Sequence, residues 1–257
     1  MAKTNSLTAY PFLHEEKGEI SLHFSLQTIQ SRMSKARPGI LLLEYTRFMM
    51  GFLLFVPQPE KIVMIGLGGG SLAKYCREKL PDTKFIAVEI SPEVIALKDT
   101  FDIPDEDEHF AIINDDGADY VRQMKSTHGQ ADVLLVDGFD ERGQPKQLCS
   151  EEFYAHCYEA LRPSGILVVN LCVGDLSHKK TLNRIRTAFH SKALAISAEG
   201  GTNSIVFASR SVRFPPDIMQ MNERVSRLEP YHPLELSEVA QKILAQAQPQ
   251  NTRRRWW

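Results

Sequence analysis

The chain has 257 residues, 43% of them hydrophobic, and its 30 Lys and Arg against 32 Asp and Glu give a formal net charge of -2. This is enough apolar content for one large core with a small appendage, and the even charge balance excludes a protein built chiefly to bind nucleic acid. The four cysteines (Cys76, Cys149, Cys157, Cys172) include no C-x-x-C pair, which excludes a zinc knuckle and a dithiol redox motif and reads as the reduced thiols of a cytoplasmic protein.

The first residues, "MAKTNSLTAYPFLHEEKGE", lack the basic-then-apolar order of a secretion signal. Residues 19–33, "EISLHFSLQTIQSRM", alternate in polarity and predict a small sheet. Residues 39–55, "GILLLEYTRFMMGFLLF", predict a mostly buried helix leading to the first core strand. The apolar window around Ile40 to Val56 contains Glu44 and Arg47. It is shorter than the ~20 apolar residues of a membrane span, so no membrane partner is expected.

From Lys61 onward apolar runs alternate with helical stretches. Strands are predicted at 61–66, 84–90, 110–114, 131–137 and 165–171. Helices are predicted at 71–80, 92–100, 117–125 and 150–161. Continuous apolar strands alternating with helices mean a parallel sheet covered on both faces. A helix at 177–189 and strands at 193–198 and 204–208 follow, the last two joined by the turn "EGGTN" and so antiparallel. Residues 215–247 predict two helices, and the terminal "RRRWW" reads as a free end. The expected fold is α/β: a Rossmann-like, doubly wound sheet of about seven mostly parallel strands with helices on both faces. Residues 1–56 would form a small β region with a connecting helix, and 57–257 the main α/β domain.

In such a sheet the ligand lies beyond the carboxyl ends of the strands. The loop Gly66–Gly70 reads G-L-G-G-G and follows the first core strand. Glycines Gly66, Gly68 and Gly70 have the G-x-G-x-G spacing associated with S-adenosyl ligands. The pyrophosphate fingerprint would need a further glycine where Ser71 stands. Glu89 ends the second strand ~20 residues on, where an acid accepts the ribose hydroxyls. "NDDG" (114–117) ends the third. Its Asp115 or Asp116 can accept from the adenine amine or, alternatively, cap the next helix. "VDGFDERG" (136–143) ends the fourth and carries Asp137 and Asp140. One carboxylate there suits a base for an amine nucleophile and the other a partner for a cation, with a plain turn as the bland alternative. No histidine is close enough in sequence to suggest a metal site with them.

The run from "NDDGADYV" through "VDGFDERGQPKQLCSEEFYAHCYEALRPSGILVVNL" resembles the spermidine synthase (polyamine aminopropyltransferase) family. In the order of that family's motifs stand Gly66, Gly68, Glu89, Asp116, Gly117, Asp137, Asp140, Gly143, Leu148, Phe153, Tyr154, Leu161, Pro163 and Gly165. The resemblance implies a class I S-adenosylmethionine-dependent transferase fold with 57–257 as its adenosyl-binding domain, decarboxylated S-adenosylmethionine as donor co-substrate, a small-molecule amine acceptor, methylthioadenosine as product, no prosthetic group and a homodimer. It implies that Gly66, Gly68, Gly70, Glu89, Asp116 and Gly117 hold the donor. Asp137 would be the base, Asp140 would meet an amine, and Gln30 and Tyr45 would line the acceptor side. The chain departs from the family pattern at several places, among them Glu141, where the family has a proline after the second aspartate, and an upstream segment that keeps only Gln30. The loop aspartate is absent, and Leu41 and Arg47 stand where the family has acids that anchor the polyamine. Two alternatives follow: a methyltransferase using intact S-adenosylmethionine, whose carboxylate would suit the loop amides and Arg47, and a nucleoside-binding protein that has kept the fold without catalysis. His156 and His178 read as packed or solvent side chains, Met and Phe of "YTRFMM" as core, and the acidic "FDIPDEDEHF" (101–110) as a solvated loop.

Overall fold

A computed structural model describes residues 11–25, 28–141 and 143–247; the "RRRWW" terminus lies outside them. Three antiparallel strands come first: β1 (Phe12–Glu16), β2 (Glu19–Ser25) and β3 (Thr28–Ser34). The alternation read over 19–33 produces β2 and β3, which bury Ile20, Leu22 and Met33. β1 escaped the pattern because it has no buried face; all five residues are exposed and only backbone pairing to β2 defines it.

The long helix expected over 39–55 is instead a short α1 (Glu44–Met49) followed by a 3-10 segment, Met50–Leu54. Two contacts explain the change. Arg47 Nη1 donates to the carbonyls of Leu41 (3.2 Å) and Leu42 (3.0 Å), satisfying them outside any helical ladder. At Gly51 a Cβ would lie 2.7 Å from Val239 and 3.0 Å from Phe207, so the chain runs hard against its neighbours there. Phe48, Met49, Met50, Phe52, Leu53 and Leu54 are all fully buried, as the apolar run required.

The main body then alternates: β4 (Lys61–Ile65), α2 (Ser71–Lys79), β5 (Lys84–Glu89), α3 (Pro92–Ile95), β6 (Phe110–Asn114), α4 (Gly117–Gln123), β7 (Ala131–Val136), α5 (Glu151–Ala160), β8 (Leu161–Cys172), α6 (His178–Ala188), β9 (Ala193–Ala198) and β10 (Asn203–Ser209). Two helices close the chain, α7 (Ile218–Leu228) and α8 (Leu236–Ala247). The sheet runs β6-β5-β4-β7-β8-β10-β9. Its first five strands are parallel, and β10 pairs antiparallel with β8 and β9. Neighbouring residues of β4 serve opposite faces: Ile62 and Met64 join the cluster under α1, α2, α7 and α8, while Val63 and Ile65 join the cluster under α4, α5 and α6. Burial on both faces is why the strands read as unbroken apolar runs.

Two further expectations needed correction. The helix expected at 92–100 is regular only over Pro92–Ile95, with Ser91 as its N-cap; beyond it the chain tightens into i→i+3 turns (Leu97 to Val94, Lys98 to Ile95). Those turns deliver Phe101 to the core. The segment 101–110 is therefore only partly solvated: its acids 105–108 lie outward, but Phe101, Ile103 and Phe110 are buried. Cys76, Cys149 and Cys157 are buried and Cys172 is exposed, all as free thiols. Among the described residues no helix is long and apolar enough to cross a membrane.

Candidate functional site

Sheet order places the chemistry in one line. The carboxyl ends of β6, β5, β4 and β7 carry Asp115/Asp116, Glu89, the glycine loop and Asp137, side by side. Strand order reverses between β4 and β7, and this is where an open α/β sheet leaves its crevice. The join is intimate. Gly66 has φ +92° and donates to Val88 O, and Asp137 N donates to Ile65 O. A Cβ on Gly66 would collide with the backbone carbonyl of Asp137. Glycine at 66 is thus demanded by a neighbouring strand end as much as by any ligand.

Gly68 and Gly70 also have positive φ, and the turn closes with Gly70 N donating to Leu67 O. Gly70 is the left-handed residue before α2, which has no side-chain cap, so the first amides of α2 are left for another acceptor. The loop is walled from above. A Cβ on Gly69 would lie 2.6 Å from Ser31 Oγ and 2.8 Å from Phe101, and one on Gly70 2.5 Å from Ile103. Ser31 of β3 meets Ser71 Oγ at 3.3 Å. Lys74, buried in α2, donates to Phe101 O and reaches Met33 Sδ at 2.9 Å. Burial lowers its pKa to about 8. The N-terminal sheet and the 101–103 segment therefore form the far wall of the loop, a contact between distant segments that no local pattern signals.

Glu89 is 8% exposed, so it is no solvated strand end. Its Oε2 accepts from Leu67 N (2.8 Å) and its Oε1 from Ser91 N (2.9 Å), fixing the glycine loop to β5. Each carboxylate oxygen keeps a further lone pair for a ligand hydroxyl. Asp116 takes the capping role weighed in the sequence: its Oδ1 accepts from Ala118 N (2.7 Å) and Asp119 N (3.3 Å) of α4. Asp115 Oδ1 accepts from Asp116 N. Gly117 is buried against Ile65, whose side chain occupies the place a Cβ would take, so its lack of a side chain serves packing.

Asp137 is half-buried at the end of β7. Burial pushes its carboxyl up to about 6, against the opposing pull of hydrogen bonds from Asn170 and Tyr45. Asn170 Nδ2 donates to Asp137 Oδ1 at 2.9 Å, and Asn203 Nδ2 donates to Asn170 Oδ1 at 2.9 Å. The Tyr45 hydroxyl also lies 3.1 Å from the backbone carbonyl of Gln30 and shares its one hydrogen between that carbonyl and Asp137, so β3, α1 and β7 meet here. Asp140 differs: it is exposed, on a turn closed by its paired backbone hydrogen bonds with Gly143. Among the described residues no group of three His, Cys, Asp or Glu is placed to hold a metal.

The departures at Leu41, before α1, and at Arg47, on α1, do not enter this site. Leu41 is core at 4% exposure. Arg47 turns to the other end of the chain, where its Nε pairs with Glu235 Oε2 at 3.1 Å. Sequence reasoning missed Asn170 and Asn203. A single Asn inside the apolar run "GILVVNL" was the available signal, since a buried amide must find partners.

The Spermine/spermidine synthase domain matches residues 42–193. A polyamine aminopropyltransferase of Chromobacterium violaceum is 38% identical over 233 residues, 89% of this chain and 87% of that protein. Among solved structures, a spermidine synthase in complex with the transition state analogue AdoDATO superposes with a TM-score of 0.64 at 22% identity, covering 93% of this chain and 85% of that one. Human methyltransferase-like protein 13 in complex with SAH gives a TM-score of 0.67 at 21% identity, over 74% of this chain and 92% of that one, which reflects the shared fold. The chain belongs to the spermine/spermidine synthase family.

Proposed function

We propose that the chain transfers an aminopropyl group from decarboxylated S-adenosylmethionine to an amine, putrescine or another polyamine, and releases methylthioadenosine. The observation that carries this reading is the placement of the Asp137 carboxyl, bound by Asn170 and with its own backbone packed against Gly66 of the glycine loop, where burial pushes its pKa up to about 6. A base is thereby held beside the donor and poised near neutral pH.

The donor lies along the strand ends. Gly66, Gly68 and Gly70 give it close access to backbone, Glu89 accepts from the ribose hydroxyls, and Asp116, with Gly117 behind it, faces the adenine end. On the acceptor side stand Asp137, Asp140, Tyr45 and Gln30. The amine arrives as an ammonium, which has no lone pair. Asp137 takes a proton from it. The freed pair attacks the carbon next to the sulfonium; the C–N bond forms as the C–S bond breaks. Sulfur keeps the bonding electrons and becomes a neutral thioether, and the new secondary ammonium leaves with the product. Asp137 then returns its proton to solvent. A negative pocket stabilises both cations on the way.

Residues 1–56 would cover the site and 57–257 hold the donor. A cytoplasmic homodimer is the setting we propose. Four unpaired thiols support the compartment. The exposed edge strand β1, with Phe12 and Leu13 at its surface, supports pairing with a second copy.

The test is a co-product assay with purified protein, either donor, and a mixture of di- and polyamines. Methylthioadenosine, formed only from the decarboxylated donor and only with amine present, is expected. Asp137→Asn should abolish it while nucleoside binding persists. S-adenosylhomocysteine would instead establish methyl transfer, and no product with any amine would leave a binding role.

A further inference from the structure

Asn170 and Asn203 are two buried or half-buried amides on strands that the donor does not need. Asn170 is 2% exposed, on β8 next to β7. Asn203 opens β10, the next strand over, and pairs in register with Cys172. Their hydrogen bonds all run one way. Thr202 Oγ1 meets Asn203 Oδ1 at 3.1 Å, Asn203 Nδ2 donates to Asn170 Oδ1, and Asn170 Nδ2 donates to Asp137 Oδ1. The direction is dictated from the Asp137 end. An ionised carboxylate only accepts, so Asn170 must present its amide nitrogen there and its oxygen to Asn203, which must then donate in turn. Donors aligned head to tail polarise one another toward the charge.

We propose that Asn170 and Asn203 are positioning residues for Asp137: a relay across β7, β8 and β10 that occupies Oδ1 and holds the carboxylate ionised and oriented to take the proton. This deepens the aminopropyl-transfer reading and rests on it for the catalytic part alone. Tyr45, from α1, is the titratable side chain that also hydrogen-bonds the carboxyl, and no charged side chain is among the groups that shift it. A hydrogen bond to a carboxylate favours the charged form, so removing the Asn170 donor raises the pKa of Asp137 by about one to two units. Removing Asn203 frees the Asn170 amide to turn and gives a smaller shift, roughly half a unit or more.

The decisive experiment needs no substrate. In protein labelled with 13C at Asp carboxyls, the Asp137 resonance is assigned by its disappearance in Asp137→Asn and titrated in wild type, Asn170→Leu and Asn203→Leu. Upward shifts in both variants, with Asn203→Gln restoring most of the wild-type value, establish the relay. Unmoved titration in folded variants overturns it. If Asn170→Leu fails to fold, Asn203→Leu decides alone by the same criterion. The acid limb of kcat/KM against pH is then measured for aminopropyl transfer. A shifted carboxyl with no turnover on any amine would sink the proposed function and keep the relay. Turnover with an unshifted carboxyl would do the reverse.

Discussion

Asp137→Asn should make the protein more stable at neutral pH, and the size of the gain follows from the site. The carboxyl rises from its ordinary 3.8 to about 6 because burial disfavours its charge. At about 1.36 kcal/mol per unit, a shift of roughly two units is worth about 3 kcal/mol at most. The sign follows from proton counts. Between pH 3.8 and 6 the folded chain holds a proton that the unfolded chain has lost, so stability falls as pH rises through that window, and the deficit is complete above it. An amide at position 137 carries no charge to desolvate, and its oxygen can still accept from Asn170. The expected outcome is a variant more stable than wild type by about 1–3 kcal/mol at pH 7.5, with the gap closing toward pH 4. Urea unfolding of both proteins at pH 4.5, 6 and 7.5 measures it. A gap that does not change with pH, or a variant less stable at pH 7.5, would refute the claim that Asp137 is held charged against its surroundings. Turnover should be lost in the same variant, as expected where an active-site group is kept at the expense of stability.

Gly66→Ala should cost about 3 kcal/mol or more, from a clash with the Asp137 carbonyl and a φ of +92° together; a thermal melt within a degree or two of wild type would contradict the close approach of β4 and β7. Glu89→Gln keeps the size of the side chain but turns one acceptor into a donor facing Leu67 N or Ser91 N. It should lose about 1–3 kcal/mol and weaken methylthioadenosine binding, read by denaturation and calorimetry. Arg47→Met should lower stability by about 1 kcal/mol, through the Glu235 pair and two carbonyls. Its kcat/KM for the amine should be unchanged, and a large change would return Arg47 to the acceptor site.

Most of the donor side was legible in the sequence because it depends on short-range signals. A strand that is buried on both faces must be apolar throughout, and the residue after its carboxyl end must serve the crevice. Period and position alone therefore put Gly66, Glu89, the Asp115–Asp116 pair, Asp137 and Asp140 at or just beyond strand ends, and the structure has them there. Asp116 shows the limit: the same aspartate that ends a strand also begins a helix, and its Oδ1 caps α4. The failures lie where distant segments meet. Residues 39–55 carry the composition of a long helix, yet Gly51 must pass against Val239 and Phe207, and Arg47 takes up the carbonyls before α1. Phe101 and Ile103 sit in an acidic stretch, yet they roof the glycine loop.

The sequence by itself determined the alternation of strands and helices, the seven-stranded sheet and the line of glycines and acids at the strand ends, because each follows from local periodicity and from which strand end a residue occupies. Only the tertiary structure decided where Arg47 points, what walls the loop, and that Asn170 and Asn203 stand behind Asp137. Those depend on strand order in space, and no spacing along the chain records that β7, β8 and β10 lie side by side.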